Sequence, residues 1–387
     1  MGNRKKALIT TTTPYMIRQF LLNDIKILQD LEYEIDVATN FQTFNVISEE
    51  ELQKLKEYLE NEHIQIHQID FERSMFKIGS HIRSYKQIKK LMNEREYDLI
   101  HTHTPISSLI TRIAFKNSRI FNKCRMIYTA HGFHFFKGNN PLKNFLFRNI
   151  ERHGAKYTDT LITINKEDYA AAKKFKLRKN GTVEYVPGVG IDIDKINSIQ
   201  GNKEELCKEL NIPVDSILLL SVGELNDNKN HKVVIECLPK LPKNVHYLIC
   251  GVGPLKEQHE ELAKKLDVSD RLHLLGYRND VIRIMKSCDV FIFPSKREGL
   301  SVALMEAMAC GLPCIASEIR GNIDLIGDKE LLFNQKNNEL SSIFTDLKIY
   351  KDISSNYCNQ ISITNKSKIN NFSIETINKI MRGIYEK

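Results

Sequence analysis

No apolar run in the sequence approaches the roughly 20 residues that a bilayer-spanning helix needs, so no spanning helix is expected. The opening Met1-Gly-Asn-Arg-Lys-Lys6 is not followed by an apolar core of the signal-peptide kind, which makes the cytoplasm the expected compartment. The same start fails the myristoylation pattern, because Lys6 stands where Ser or Thr is required. None of the eight cysteines pairs with another at C-x2-C spacing, and most sit in apolar surroundings, so packed free thiols are expected rather than a metal site. One absence is local. Between His101 and Ile150 there are eight Lys/Arg and no acidic residue. Residues 1–190 hold 30 Lys/Arg against 21 Asp/Glu and the remainder 26 against 27, so the net charge of +8 belongs to the first half. Such a surface fits an anionic partner, either a phosphorylated ligand or anionic lipid headgroups. Nucleic acid is not expected, since no binding motif or base-stacking aromatic pattern accompanies the charge.

What is present is a long alternation. At 387 residues the chain exceeds one ordinary core and suits two domains. In the first half, short apolar runs at 6–12, 34–39, 64–69, 99–102, 125–129, 160–164 and 183–186 alternate with amphipathic helical stretches. The pattern breaks at Pro187-Gly-Val-Gly190 and stays polar to about Pro213, where a linker is expected. A second alternation follows, with strands expected at 217–222, 246–250, 271–274, 290–293, 313–317 and 331–333. The predicted fold class is α/β, with two doubly wound Rossmann-like domains facing across a cleft. The expected division is 1–190, 191–372 and a final helix over 373–387, with a return of that helix to the first domain as one expectation. The Asn- and Ser-rich stretch 351–371 reads as weakly ordered.

The richest segment runs from Phe291 to Glu306. An apolar strand enters a turn containing Pro294 and Gly299, and a helix opens near Leu300 or Ser301. The first N–H groups of that helix have no partner within it and, with the helix dipole, favour an anion. Gly299 allows close approach. Glu298 and Glu306 then flank the anion and suit hydroxyl groups on either side of it. Each glutamate alone could be a solvated helix residue. A retaining-glycosidase pair, at about 5–5.5 Å, is disfavoured by eight residues of helix at 1.5 Å each, roughly 12 Å.

Other motifs have plainer readings. Asp192-Ile-Asp194 resembles a metal-binding Asp-x-Asp, but after a glycine turn it reads as a helix cap. His101 and His103 are read as diverging to opposite faces of their strand, and so as no metal pair. His131 and His134, after a strand and beside a glycine, are either structural or line a ligand site. Phe133, Phe135 and Phe136 with Lys137 and Lys143 are either core aromatics or a membrane-facing rim, and the lysines favour the rim. Lys229 at a helix start is locally unfavourable unless an anion binds there.

Taken in order, the motifs resemble those of glycosyltransferase family 4, the GT-B fold, and most nearly its capsular and exopolysaccharide branch. The resemblance rests on Asp98-Leu-Ile-His-Thr-His-Thr-Pro105, Thr129-Ala-His-Gly-Phe-His-Phe-Phe136, Val186-Pro-Gly-Val-Gly-Ile-Asp192, Val222-Gly-Glu-Leu-Asn-Asp-Asn-Lys-Asn-His231, Cys250-Gly-Val-Gly-Pro254, Leu275-Gly-Tyr-Arg278 and the segment above. It implies retaining transfer of a sugar from a UDP-sugar to a lipid-diphosphate-linked saccharide, without a metal or other cofactor, at the inner face of a membrane. Glu306 would hold the ribose, and Glu298 and His131 would meet the donor sugar. Lys229 and the backbone of Gly299, Leu300 and Ser301 would meet the diphosphate. Arg278 would lie beside the base, with Gly223 and Gly253 giving close backbone approach. Glu224 departs from the pattern, standing where many members carry an arginine. The loop Thr11-Thr-Thr-Pro14 replaces a glycine-rich turn, and its hydroxyls are assigned to the acceptor side. A UDP-sugar 2-epimerase of the same fold and an inactive nucleotide-sugar-binding partner are the alternative readings.

Overall fold

The computed structural model describes residues 4–42, 48–334, 340 and 356–387. The chain forms two compact units, Met1–Val189 with Ile377–Lys387 and Gly190–Thr376.

The first unit is built on seven strands: β1 (Lys6–Thr10), β2 (Glu34–Thr39), β3 (Gln65–Gln68), β4 (Leu99–His103), β5 (Arg125–Ala130), β6 (Thr160–Thr163) and β7 (Thr182–Tyr185). They pair in parallel in the order β3-β2-β1-β4-β5-β6-β7. Leu8, Ile9, Ile100, Met126, Ile127 and Ile162 are fully or almost fully buried at consecutive or alternating positions, which requires helices on both faces of the sheet. Local signals start those helices. Ser48 and Glu51 form a reciprocal capping box before Glu49–Asn61, and Pro105 and Pro141 occupy first helical positions, where the missing N–H is harmless.

The second unit repeats the plan with β8 (Ile217–Val222), β9 (Val245–Cys250), β10 (Leu272–Gly276), β11 (Val290–Phe293), β12 (Cys314–Ser317) and β13 (Leu332–Phe333). Its order is β10-β9-β8-β11-β12-β13. In each unit the direction of winding reverses beside the first strand, between β1 and β4 or between β8 and β11, and sheets of this class bind ligands at the carboxyl ends of such strands.

Two local expectations change. The polar stretch after Gly190 contains two short capped helices, Ile193–Ser198 and Lys203–Leu210, where Asp192 accepts from the N–H of Lys195 and Asn202 from that of Glu205. The cap reading of Asp192 therefore holds. Within 351–371, residues 351–355 lie outside the described residues, and from Asn356 the chain is helical to Ile369. Ile361, Asn365 and Ile369 are buried at i, i+4 and i+8, and Asn365 donates to the Leu312 carbonyl at 2.8 Å; one buried stripe was hidden by a polar average. The last helix, Ile374–Tyr385, buries Ile377, Met381, Ile384 and Tyr385 in the core of the first unit.

Candidate functional site

In the second unit the loops after β8 and β11 are tied together. Lys296 donates its N–H to the Asn228 carbonyl at 2.7 Å, Asn228 Nδ2 donates to the Arg297 carbonyl at 3.0 Å, and Asn230 Nδ2 to that of Pro294 at 3.3 Å. This contact brings Lys229 Nζ to 2.8 Å from Glu298 Oε1 and over the Phe293 ring at 4.8 Å. Both side chains keep some exposure, 21% and 15%, so the pair can open to a ligand. Beside it, Ser301 caps the helix Val302–Ala309 by accepting from Leu304 N–H. The N–H groups of Val302 and Ala303 find no acceptor among the described residues. A cation and unfilled backbone donors thus converge on one strand end, with no lysine in the helix turn itself.

Glu306 lies further along that helix. Burial pushes its carboxyl up to about 7, and Lys195 partly offsets the shift. It is a carboxylate held near neutrality and ready to accept hydroxyl donors. Gly223 lies against the Lys229 chain, where a Cβ would meet Cε at 3.0 Å. Gly253 is needed for packing: a Cβ there would stand 2.5 Å from the Leu225 carbonyl oxygen, so the β8 and β9 loops touch through it. Arg278 is engaged in pairs with Asp280 and Glu209 at 2.8 and 2.6 Å, which raise its pKa. Glu224 is exposed and accepts from Asn226 Nδ2 at 2.8 Å.

Sequence reasoning missed Arg320 and Gly321. Arg320 is buried, and its Nε donates to the Glu298 carbonyl at 3.0 Å. Gly321 adopts φ +80°, and a Cβ there would fall 2.3 Å from the Gly299 oxygen, so the β12 loop clamps the glycine turn from behind. Their position just past β12 was the available signal.

The first unit gathers histidines at the ends of β4 and β5. The expectation that His101 and His103 diverge fails, because residues two apart on a strand share a face; their rings lie 4.0 Å apart. His101 pairs with the Tyr385 hydroxyl and with Thr129 Oγ1, both at 2.8 Å. His103 Nδ1 meets His131 Nε2 at 3.1 Å. Burial holds His101 down to about 3 and His131 to about 4, and pushes Asp24 up to about 7. Donor atoms of Asp24, His101 and His103 lie within 4.8 Å of one another, so a cation could share them only by displacing a hydroxyl from His101. Thr11 to Thr13 are buried, and Thr12 bonds Thr104 and Ser107 at 2.7 and 3.1 Å. The Thr12 hydroxyl serves packing, whereas the buried Thr11 Oγ1 has no partner among the described residues. Phe133 and Phe135 are also core, stacked at 4.7 Å, so they form no rim.

Residues 8–165 match the family model "Glycosyl transferase 4-like" and residues 202–347 match "Glycosyl transferases group 1". EpsD of Bacillus subtilis (strain 168), which its name assigns to the glycosyltransferases, is 32% identical over 331 residues, covering 84% of this chain and 82% of that protein. An Escherichia coli UDP-Gal:alpha-D-GlcNAc-diphosphoundecaprenol alpha-1,3-galactosyltransferase is 28% identical, covering 78% and 75%. Among solved structures, Anabaena Alr3699/HepE in complex with UDP superposes with a TM-score of 0.74 at 17% identity over 99% of each chain, a likeness of fold.

Proposed function

The chain belongs to glycosyltransferase family 4, of GT-B fold and the capsular and exopolysaccharide branch, and from that premise we propose that it moves a sugar from a UDP-sugar to a saccharide on a lipid diphosphate, with retention. The observation that carries this reading is the Lys229–Glu298 pair beside the open N–H groups of the Ser301-capped helix. In this reading the diphosphate replaces Glu298 as the partner of Lys229 and lies on the backbone of Gly299, Leu300 and Ser301. Glu298, released, accepts from a sugar hydroxyl, and Glu306 accepts from the ribose. The bond between the anomeric carbon and the β-phosphate oxygen breaks, the acceptor oxygen bonds to that carbon, and its proton passes to the leaving phosphate. Negative charge grows on that phosphate in the transition state, where fixed dipoles and a cation are most effective. Lys229 and the N–H groups fill the role a metal would otherwise take. His131 meets the donor sugar as a neutral ring, and Arg278 lies beside the base.

The acceptor class follows two supports. Relatives named as acting on diphosphoundecaprenol-linked sugars cover most of the chain, and the basic excess lies in the first half. We place the enzyme on the cytoplasmic face of a membrane, held peripherally by that charge, in capsule or exopolysaccharide assembly. The test is a thermal-shift panel of nucleotide diphosphate sugars on the parent, Glu306→Ala and Lys229→Ala. Stabilisation by a UDP-sugar, lost in both variants, is expected; about 2.7 kcal/mol accrues at a hundredfold excess over Kd. No shift with any nucleotide sugar refutes the reading.

A further inference from the structure

The first unit contains an apolar cavity of about 240 Å³ that the nucleotide-sugar chemistry does not use. Met75 bounds it before the helix Ile78–Arg95, Ile106, Leu109 and Ile110 on the helix Pro105–Lys116, and Phe147 and Ile150 on the helix Pro141–Ala155. Its one lining acid, Glu151, is turned to internal use, accepting from Arg112 at 3.0 Å and from the Tyr128 hydroxyl at 3.1 Å. Neighbours of the lining residues along the chain are apolar and exposed. Phe76 is 91% exposed beside Met75, and Phe145 is 72% exposed two residues before Phe147. Ile78 and Leu142 extend the same character on each side. Exposed apolar surface of this extent beside a concavity marks a binding site.

Its charge identifies the occupant. Lys137, Lys143, Arg148 and Arg152 are exposed on and before the Pro141–Ala155 helix, within the run of 50 residues or directly after it, and that run contains no acidic residue. Apolar walls with a basic border fit an apolar chain that ends in an anion. A flat bilayer would cover Phe76 and Phe145 but leave a cavity enclosed by three helices unfilled, whereas a single chain enters it.

Resting on the proposed acceptor class, we infer that this cavity takes the part of the acceptor's isoprenoid chain nearest its diphosphate, with the diphosphate on the bordering cations. The lipid is then read by the protein as a ligand, through the methylenes it buries.

The chain has no tryptophan, so Phe147→Trp in the full protein places a lone indole on the cavity wall, and Met75→Trp, at a position 42% exposed, gives a second reporter where folding is undemanding. Farnesyl diphosphate, below its micelle concentration, should shift the emission saturably. Isopentenyl diphosphate should bind at least tenfold more weakly, and inorganic diphosphate should leave the emission unchanged. Filling the cavity with Ile106→Phe in either reporter should weaken farnesyl diphosphate at least tenfold while leaving the UDP-sugar thermal shift intact. Two outcomes overturn the assignment: no response to farnesyl diphosphate in either reporter, or a response only to vesicles containing phosphatidylglycerol, which makes the surface a bilayer contact alone. Because nucleotide-sugar binding is read separately on the parent, absence of that shift there refutes the proposed function without touching the cavity.

Discussion

The two units use one sheet plan and furnish their strand ends in opposite ways. In the second, charged and donor groups remain partly open: Lys229 and Glu298 satisfy each other at the surface, and helix N–H groups stand unfilled. In the first, polar groups are buried and most answer one another, His101 with Tyr385 and Thr129, His103 Nδ1 with His131, Thr12 with Thr104, while His103 Nε2 and Thr11 Oγ1 have no partner among the described residues. A partly exposed ion pair has little net energy and exchanges readily for a ligand. A buried neutral network is dear to break and holds shape. The contrast separates a strand end whose polar groups are open to exchange from one whose polar groups are buried and paired.

The sharpest way to break this comparison is Lys229→Ala. It should lower kcat for sugar transfer by about 10² to 10³, the loss typical of one transition-state electrostatic group, while circular dichroism stays unchanged. A loss confined to KM would remove Lys229 from the reacting charge. Next in size is an acid effect in the first unit. His101 and His131 have folded values depressed below 6.5, so the unfolded chain binds more protons and stability falls as pH drops from about 6.5 toward 4. Each histidine contributes roughly 2 kcal/mol of weakening between pH 7 and pH 5 and Asp24, raised to about 7, opposes them by about as much, so amide hydrogen exchange in β4 and β5 should show a net weakening on the order of 2 kcal/mol, brought near zero by His131→Asn.

The second unit should behave in the opposite sense at Glu306. Its folded value is raised to about 7, so stability is lost as pH rises from about 4.5 through 7, and Glu306→Gln should remove that slope. The same substitution should weaken UDP about tenfold at pH 8, equivalent to about 1.4 kcal/mol. UDP affinity in the parent should improve with pH through about 7, and isothermal titration across that range checks it. Smallest is Ser301→Ala, expected to lower the thermal midpoint by an amount equivalent to about 1 kcal/mol, with UDP affinity changed less than in Glu306→Gln.

Strand positions and the glycine-turn helix were legible because they rest on short-range pattern: apolar runs ending at Val222 and Phe293, and a helix opening near Leu300 or Ser301. Glu298 was found, but its pairing with Lys229, 69 residues away, depends on how two loops dock, which no local pattern encodes. Arg320 and Gly321 were missed for the same reason, although their place just past β12 was a signal. The histidine pair was misread by an error of period, and Phe133 and Phe135 because aromatic-lysine clusters look alike whether the rings face solvent or Phe175.

Tyr385 bonds His101 from a helix whose last nine residues, Ile377 to Tyr385, belong to the first unit. The first unit is therefore begun early in translation and completed only after the second has been made. Its histidine network cannot close on a nascent chain, so the buried histidine cluster matures after the second unit's loops have been made. A fusion or cleavage at residues 377–387 would act on a site 284 residues earlier in the chain.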